Sequence, residues 1–212
     1  MNRVKNIINW LLGITLCSLG VALCTKAGFG LSMIGAPPYI IHVWLRDYFA
    51  WFTQGTGENV WEALILIITI IIIRRFKVRY LFSFAVAVIL GLMIDLWLFI
   101  MGGNQVVAGI WLRIVLFALG TVITSIAVAF YFRTDLPLQV YELSVVEISD
   151  RFGFKQENVK WVTDITYLVI AIVLSLTLTR KFTGVGIGTV IITVVNAPLI
   201  TFMGRIIDKV EK

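Results

Sequence analysis

YLFSFAVAVILGLMIDLWLFIM, residues 80–101, carries one charged side chain, Asp95, in an otherwise apolar run. A helix rises about 1.5 Å per residue, so a run of this length spans about 30 Å, the thickness of a bilayer's hydrocarbon core. Backbone N–H and C=O groups find no water there, so the run must be a helix or part of a closed barrel. A barrel strand would alternate apolar and polar residues, and this run does not. It reads as a transmembrane helix.

Five further runs read the same way: residues 4–24, 59–73, 106–132, 161–179 and 185–207. The run 59–73 is short and β-branched, and it borrows length from residues 55–58; lipid overrides its strand propensity. The expectation is an all-α polytopic membrane protein with about six transmembrane helices. Composition agrees: 59% of the 212 residues are hydrophobic, 14% are charged, and the mean hydropathy is +0.96. A soluble domain carries about 25% charged residues. No polar stretch is long enough for a separate soluble domain, so residues 1–212 form one membrane domain. Arg3 and Lys5 precede the first run as they would in a signal peptide, but no small-x-small cleavage site follows, and the run is expected to stay as a helix.

Lys and Arg set the orientation. With the N-terminus inside, all but Lys26, Arg46, Arg113, Arg180 and Lys181 of the 18 Lys and Arg fall on the cytoplasmic side, Lys212 included. Both termini are then cytoplasmic. The net charge of +6 needs no nucleic acid, because the positive residues sit at membrane edges where anionic lipid head groups lie. Cys17 and Cys24 are seven apart on one helix and cannot bridge each other, so they read as packing residues.

Two segments are neither clear spans nor plain loops. GFGLSMIGAPPYIIHVWLRDYF, residues 28–49, is broken by glycines and by Pro37-Pro38; TDLPLQVYELSVVEISDRFGF, residues 134–154, holds Pro137. Each predicts a short proline-entered amphipathic helix, over 37–49 and 137–152. In the second, Leu138, Tyr141, Val145, Ile148 and Phe152 share one face, with Glu142, Glu147 and Asp150 on the others. These segments occupy the same place in the two halves. Pro37 matches Pro137, Glu58-Asn59-Val60 matches Glu157-Asn158-Val159, and Arg74-Arg75-Phe76 matches Arg180-Lys181-Phe182. The chain therefore reads as two repeats, about 1–105 and about 106–212. Three spans in each half insert the second upside down, and inverted repeats are common in transporters, where broken helices hold substrate near the midplane.

The stretch Ser32 through Tyr39, the stretch Tyr80 through Phe84, Gly91 with Asp95, Val140-Tyr141-Glu142-Leu143, and Gly188-Thr189 with Asn196 resemble the YczE/YitT-like bacterial membrane proteins, an uncharacterised group. The likeness runs over nearly the whole chain. That group's usual Pro-Trp-Asp reads Pro37-Pro38-Tyr39 here, so the role of its aspartate is not carried over. The resemblance implies a six-helix protein of the bacterial inner (cytoplasmic) membrane and no established substrate.

Charged groups inside a membrane are costly and are functional candidates. Asp95 and Arg113 lie at matched depth on consecutive antiparallel spans, where they either form a self-neutralising ion pair or meet a substrate. Glu62 and Asp164 sit in the first turns of the middle span of each half, where the positive dipole end of their own helix accounts for them. His42 is the single histidine and reads as a titratable interfacial residue. It has no partners for a metal site. Gly184, Gly186 and Gly188 read as close packing through small residues. Asn196 with Pro198 reads as a break that lines a cavity. The candidate substrate-binding set is Asp95, Arg113, Asn196, His42, Tyr141 and Glu142, with the two short helices capping one cavity. An amphipathic helix lying flat on lipid is the competing account.

No motif for proteolysis, serine chemistry or nucleotide binding is present, and none calls for a cofactor. The function expected is a small-solute transporter; the alternatives are a substrate-capture subunit and an accessory or scaffold subunit of a larger complex.

Overall fold

The cost of an unpaired backbone group in lipid is met here by helix throughout. The computed structural model describes residues 3–210, with Val210 by its backbone alone; Lys212, assigned above to the cytoplasmic side, lies outside the described residues. Among these there are eight α-helices and no strand: α1 Arg3–Ala27, α2 Ala36–Leu45, α3 Gln54–Ile73, α4 Arg79–Ile100, α5 Ile110–Tyr131, α6 Val140–Phe152, α7 Gln156–Leu174 and α8 Ile187–Val210. A π-helical turn, Ser175–Thr179, extends α7. Helices α1, α3, α4, α5, α7 with its extension, and α8 are long and apolar enough to cross a membrane. The protein is a polytopic, all-helical membrane protein.

The helix ends have local causes. The Oγ1 of Thr53 caps α3 by accepting from the N–H of Thr56 at 3.1 Å. At its other end Arg74 turns left-handed, with φ 56°, and its N–H closes on the carbonyl of Ile70. Helix α2 is shorter than the expected 37–49. Its prolines fill the first turn, but the N–H groups of Tyr48 and Phe49 both fold back onto the carbonyl of Leu45, which ends the helix there. Helix α6 begins at Val140, three residues after Pro137, because Gln139 is still extended (ψ 157°). The expected break at Pro198 does not occur; α8 runs continuously through it.

The chain forms two compact units, and each takes helices from both halves of the sequence. The first holds residues 1–32, 93–136 and 183–212; the second holds 33–92 and 137–182. Helix α4 divides between them after Leu92.

The first unit is built on the close approach of α1 and α5. A Cβ placed on Gly20 would lie 2.8 Å from the carbonyl oxygen of Gly120, and one on Gly120 would lie 2.8 Å from that of Gly20. Cys24 Sγ would be 2.7 Å from the same Cβ of Gly120, so Cys24 is a packing residue here. Small residues that let two backbones meet are what holds helices together where lipid removes the hydrophobic drive. The glycines of 184–188 pack against the loop after α1, and Gly188 also against Phe117 of α5. Leu31 N–H donates to Gly184 O, Gly188 N–H donates to Phe29 O, and Gly186 has no room for a Cβ beside Phe29 O.

The second unit has an aromatic and aliphatic core of Trp61, Ile65, Leu66, Tyr80, Val140, Tyr141, Leu143 and Tyr167, drawn from α3, α4, α6 and α7. Helix α6 is thus a core element, not a helix lying flat on lipid. Its buried face carries Val140, Tyr141, Leu143, Ser144, Val145, Glu147 and Ser149, whereas Phe152, expected on the apolar face, is half exposed.

Candidate functional site

Helix α6 begins inside the second unit without a capping side chain of its own: Gln139 makes no cap hydrogen bond. Its first N–H groups, those of Val140 and Tyr141, are turned to the carboxylate of Glu62 on α3. A helix N-terminus leaves such donors open and carries a partial positive charge, so an anion from a neighbouring helix completes it. Glu62 therefore meets the dipole of α6, not that of α3 as its position in the chain suggested. It is 1% exposed, and its second oxygen, Oε2, has no hydrogen-bond partner among the described residues.

Three more carboxylates surround this point. Glu58 stands one turn before Glu62 on α3 and is buried. Glu142 follows on α6, its Oε2 also without a partner, and both it and Glu58 are electrostatically coupled to Glu62. Asp164 on α7 accepts a hydrogen bond from the hydroxyl of Tyr141. One cation answers them: Lys160 Nζ lies 3.8 Å from Asp164 Oδ2, donates to Tyr141 Oη at 3.1 Å and sits 4.7 Å above the Tyr141 ring. Burial pushes the Glu142 carboxyl above its ordinary range, against the pull of Lys160. Burial likewise raises the Tyr141 phenol, helped by the negative charge of Asp164. Four carboxylates thus share one ammonium in this part of the second unit.

The other end of α6 differs. Glu147 is buried but fully answered: Lys77 Nζ donates to both of its oxygens at 2.9 and 2.7 Å, Tyr80 Oη donates at 2.8 Å, and Arg79 Nη2 lies 3.0 Å away. Burial pushes this carboxyl up, but those bonds and charges together outweigh it and hold it below the usual range.

Of the expected site residues, Tyr141 and Glu142 stand in this cluster. His42 is in the same unit on α2, buried rather than interfacial, with Nδ1–H donating to Phe52 O at 2.8 Å; it ties α2 to the connection that follows. Asp95, Arg113 and Asn196 belong to the first unit. Arg113 reaches back to the end of α1, where Nε donates to Ala27 O at 2.7 Å and Nη2 to Gly28 O at 3.1 Å, with the guanidinium 4.6 Å over the Phe29 ring. That completes carbonyls left open at a helix C-terminus, a structural task. Asn196 Oδ1 accepts from Ser125 Oγ at 3.0 Å, joining α8 to α5.

The profile of a family of unknown function, DUF6198, matches residues 4–205. The chain belongs to that family. It is also similar to the uncharacterized protein YyaS of Bacillus subtilis (strain 168), at 25% identity over 93% of this chain and 92% of the relative. No solved structure matches the chain at a significant level.

Glu58 and Lys160 were not singled out for the site by the sequence. Glu58 was visible only as part of a repeat match, and its counterpart Glu157 is exposed, so the match said nothing about burial. The usable signal was Glu58 and Glu62 one turn apart in a span whose remaining 11 residues, 63–73, contain no charge.

Proposed function

We propose that this DUF6198 protein is a small-solute transporter of the bacterial cytoplasmic membrane, with both termini in the cytoplasm and with its polar centre at the N-terminus of α6. The observation that carries this reading is the placement of Glu62. It lies 11 residues from the end of α3, about 17 Å at 1.5 Å per residue, which is close to half of a 30 Å hydrocarbon core. Transporters place the positive ends of half-helices near the midplane, facing anionic groups; here Glu62 supplies the anion. No nucleotide motif is present, so movement draws on a gradient or on a partner.

Several features support an inverted repeat behind this arrangement. Each compact unit contains matched members of the two halves: α1 with α5 in the first, α2 and α3 with α6 and α7 in the second. Among the described residues, the non-glycine positions with positive φ are Arg74 and Arg180, which is where the sequence match places equivalent residues. The likeness to the YczE/YitT group fits the same reading. In this orientation Glu147 of α6 and its partners Lys77 and Arg79 lie together on the cytoplasmic side.

A second reading, a membrane subunit of a larger complex, is favoured by one observation. In their most apolar windows α7 and α8 are only 17% and 11% buried, against 39–44% for the other four spans. Two spans so little covered by their own chain suit a partner as well as lipid.

The test is purified protein in liposomes, offered a panel of small solutes first in a thermal-shift screen and then in uptake across a pH gradient. A transporter should be stabilised by at least one solute and accumulate it over protein-free liposomes. Folded protein that neither responds to nor accumulates any solute, yet co-purifies stoichiometrically with another membrane protein, would favour the subunit reading. Orientation is read separately: Arg75→Cys in a Cys17- and Cys24-free background should resist an impermeant maleimide added outside intact cells.

A further inference from the structure

We infer that the carboxylate cluster at the start of α6 is a proton-loading site, in which ionised Glu62 holds the N-terminus of α6 and protonated Glu62 releases it. The inference deepens the transporter reading and rests on it for its purpose, since it names the coupling ion and the element that senses it.

The first ground is Glu62 itself. One side of its carboxylate is the acceptor for the N–H groups of Val140 and Tyr141. The bonds are strong only while the group is charged, because charge-assisted hydrogen bonds are about twice as strong as neutral ones and the helix dipole adds to them. The other side, Oε2, is buried with no partner, which is an unfavourable place for a full negative charge. The side chain is poised between two states whose costs differ: charged and holding α6, or neutral with α6 loosened.

The second ground is what faces it. From α3 comes Glu58, from α6 Glu142 and Tyr141, and from α7 Asp164, Lys160 and Tyr167. Helix α2 also packs on α3 and α7, and its His42 is bonded to Phe52 O. Carboxylates that interact strongly share their protons rather than titrating independently. The cluster is not fully enclosed: the Asp164 side chain, which accepts from the Tyr141 hydroxyl, is 18% exposed.

A proton fits these atoms better than a metal cation. A bound metal needs several oxygens converging on one point. Among the described residues no three His, Cys, Asp or Glu side chains are so arranged. A proton needs a single oxygen.

The experiment uses the purified wild-type protein with N,N′-dicyclohexylcarbodiimide, which reacts with protonated carboxyls in apolar surroundings, followed by digestion and mass spectrometry across a pH series. The expected result is an adduct on Glu62 whose yield falls as the pH is raised, unchanged by sodium at fixed pH, and displaced along the pH axis in Glu142→Gln. Protection by sodium would replace the proton by a metal cation and overturn the inference. So would the lack of any adduct on Glu62 at every pH when the unfolded chain reacts there. The assay needs no solute. An adduct without solute uptake removes the transporter reading alone, and uptake without an adduct removes the proton inference alone.

Discussion

The two units hold their buried charges in different ways. In the first, cationic side chains donate to backbone carbonyls. Arg113 bonds to Ala27 and Gly28, Lys26 Nζ bonds to Gly103 O at 2.9 Å, and Arg133 bonds to the carbonyls of Ala129 and Gly204 at 2.6 Å each and to Asp208. In the second, four carboxylates gather around one lysine, and two of their oxygens are left without partners. Satisfied polar networks rigidify a core, and an unpaired buried polar group is costly. Charge within a membrane span is therefore no guide to function until its partners are known.

If the first unit is scaffold, its largest sensitivity is to volume. Gly120→Leu forces a side chain into the Gly20 and Cys24 backbone of α1, and overpacking costs about 1–3 kcal/mol, more where backbone must move. Yield of folded protein on size-exclusion chromatography should collapse. Normal yield would mean the α1–α5 contact is not tight.

The next effect separates Arg113 from Asp95. Arg113→Gln leaves the end of α1 under-bonded, about 1–3 kcal/mol by the cost of buried unsatisfied groups. Its loss in melting temperature should exceed that of Asp95→Asn, and the double variant should be no better than Arg113→Gln. Recovery in the double variant would instead make the two an ion pair, as their matched depth first suggested.

Within the second unit, the two ends of α6 should respond to pH with opposite sign. Glu147 has a depressed pKa in the folded protein, so it stabilises above the unfolded carboxylate range and loses that contribution as pH falls through its folded value. Glu147→Gln should flatten the acid limb of a stability profile by about 1 kcal/mol, a modest figure because Lys77 and Arg79 are half exposed. Glu142 is raised, so stability is lost as pH rises from its unfolded to its folded value. Glu142→Gln should raise the melting temperature at and above neutral pH and leave it unchanged in acid. This is the smallest of the effects. The same sign at both positions would dissolve the distinction between an answered and an unanswered carboxylate.

How far the sequence reaches follows the same physics. The six spans are legible because lipid forces every backbone group into a helix, and length and apolarity then suffice. The borrowing of residues 55–58 by α3 is legible for that reason. What Glu62, Arg113 and Gly120 do is not, because each acts on the backbone of a different helix: Glu62 on α6, Arg113 and Gly120 on α1. Tyr141 and Glu142 could be singled out from a polar patch beside Pro137. Their neighbours Glu58, Asp164 and Lys160 come from α3 and α7, and only the packing of those helices brings them in.

The central claim is that the charge on Glu62 holds the start of α6. Hydrogen–deuterium exchange read by mass spectrometry tests it directly, on peptides covering residues 136–143 in the wild type and in Glu62→Gln, corrected for the intrinsic pH dependence of exchange. Peptides of α1 and α5 serve as the check that both proteins are folded. The account predicts that protection of residues 136–143 falls on acidification in the wild type and is low and independent of pH in Glu62→Gln. Equal protection in the two proteins at every pH would contradict it.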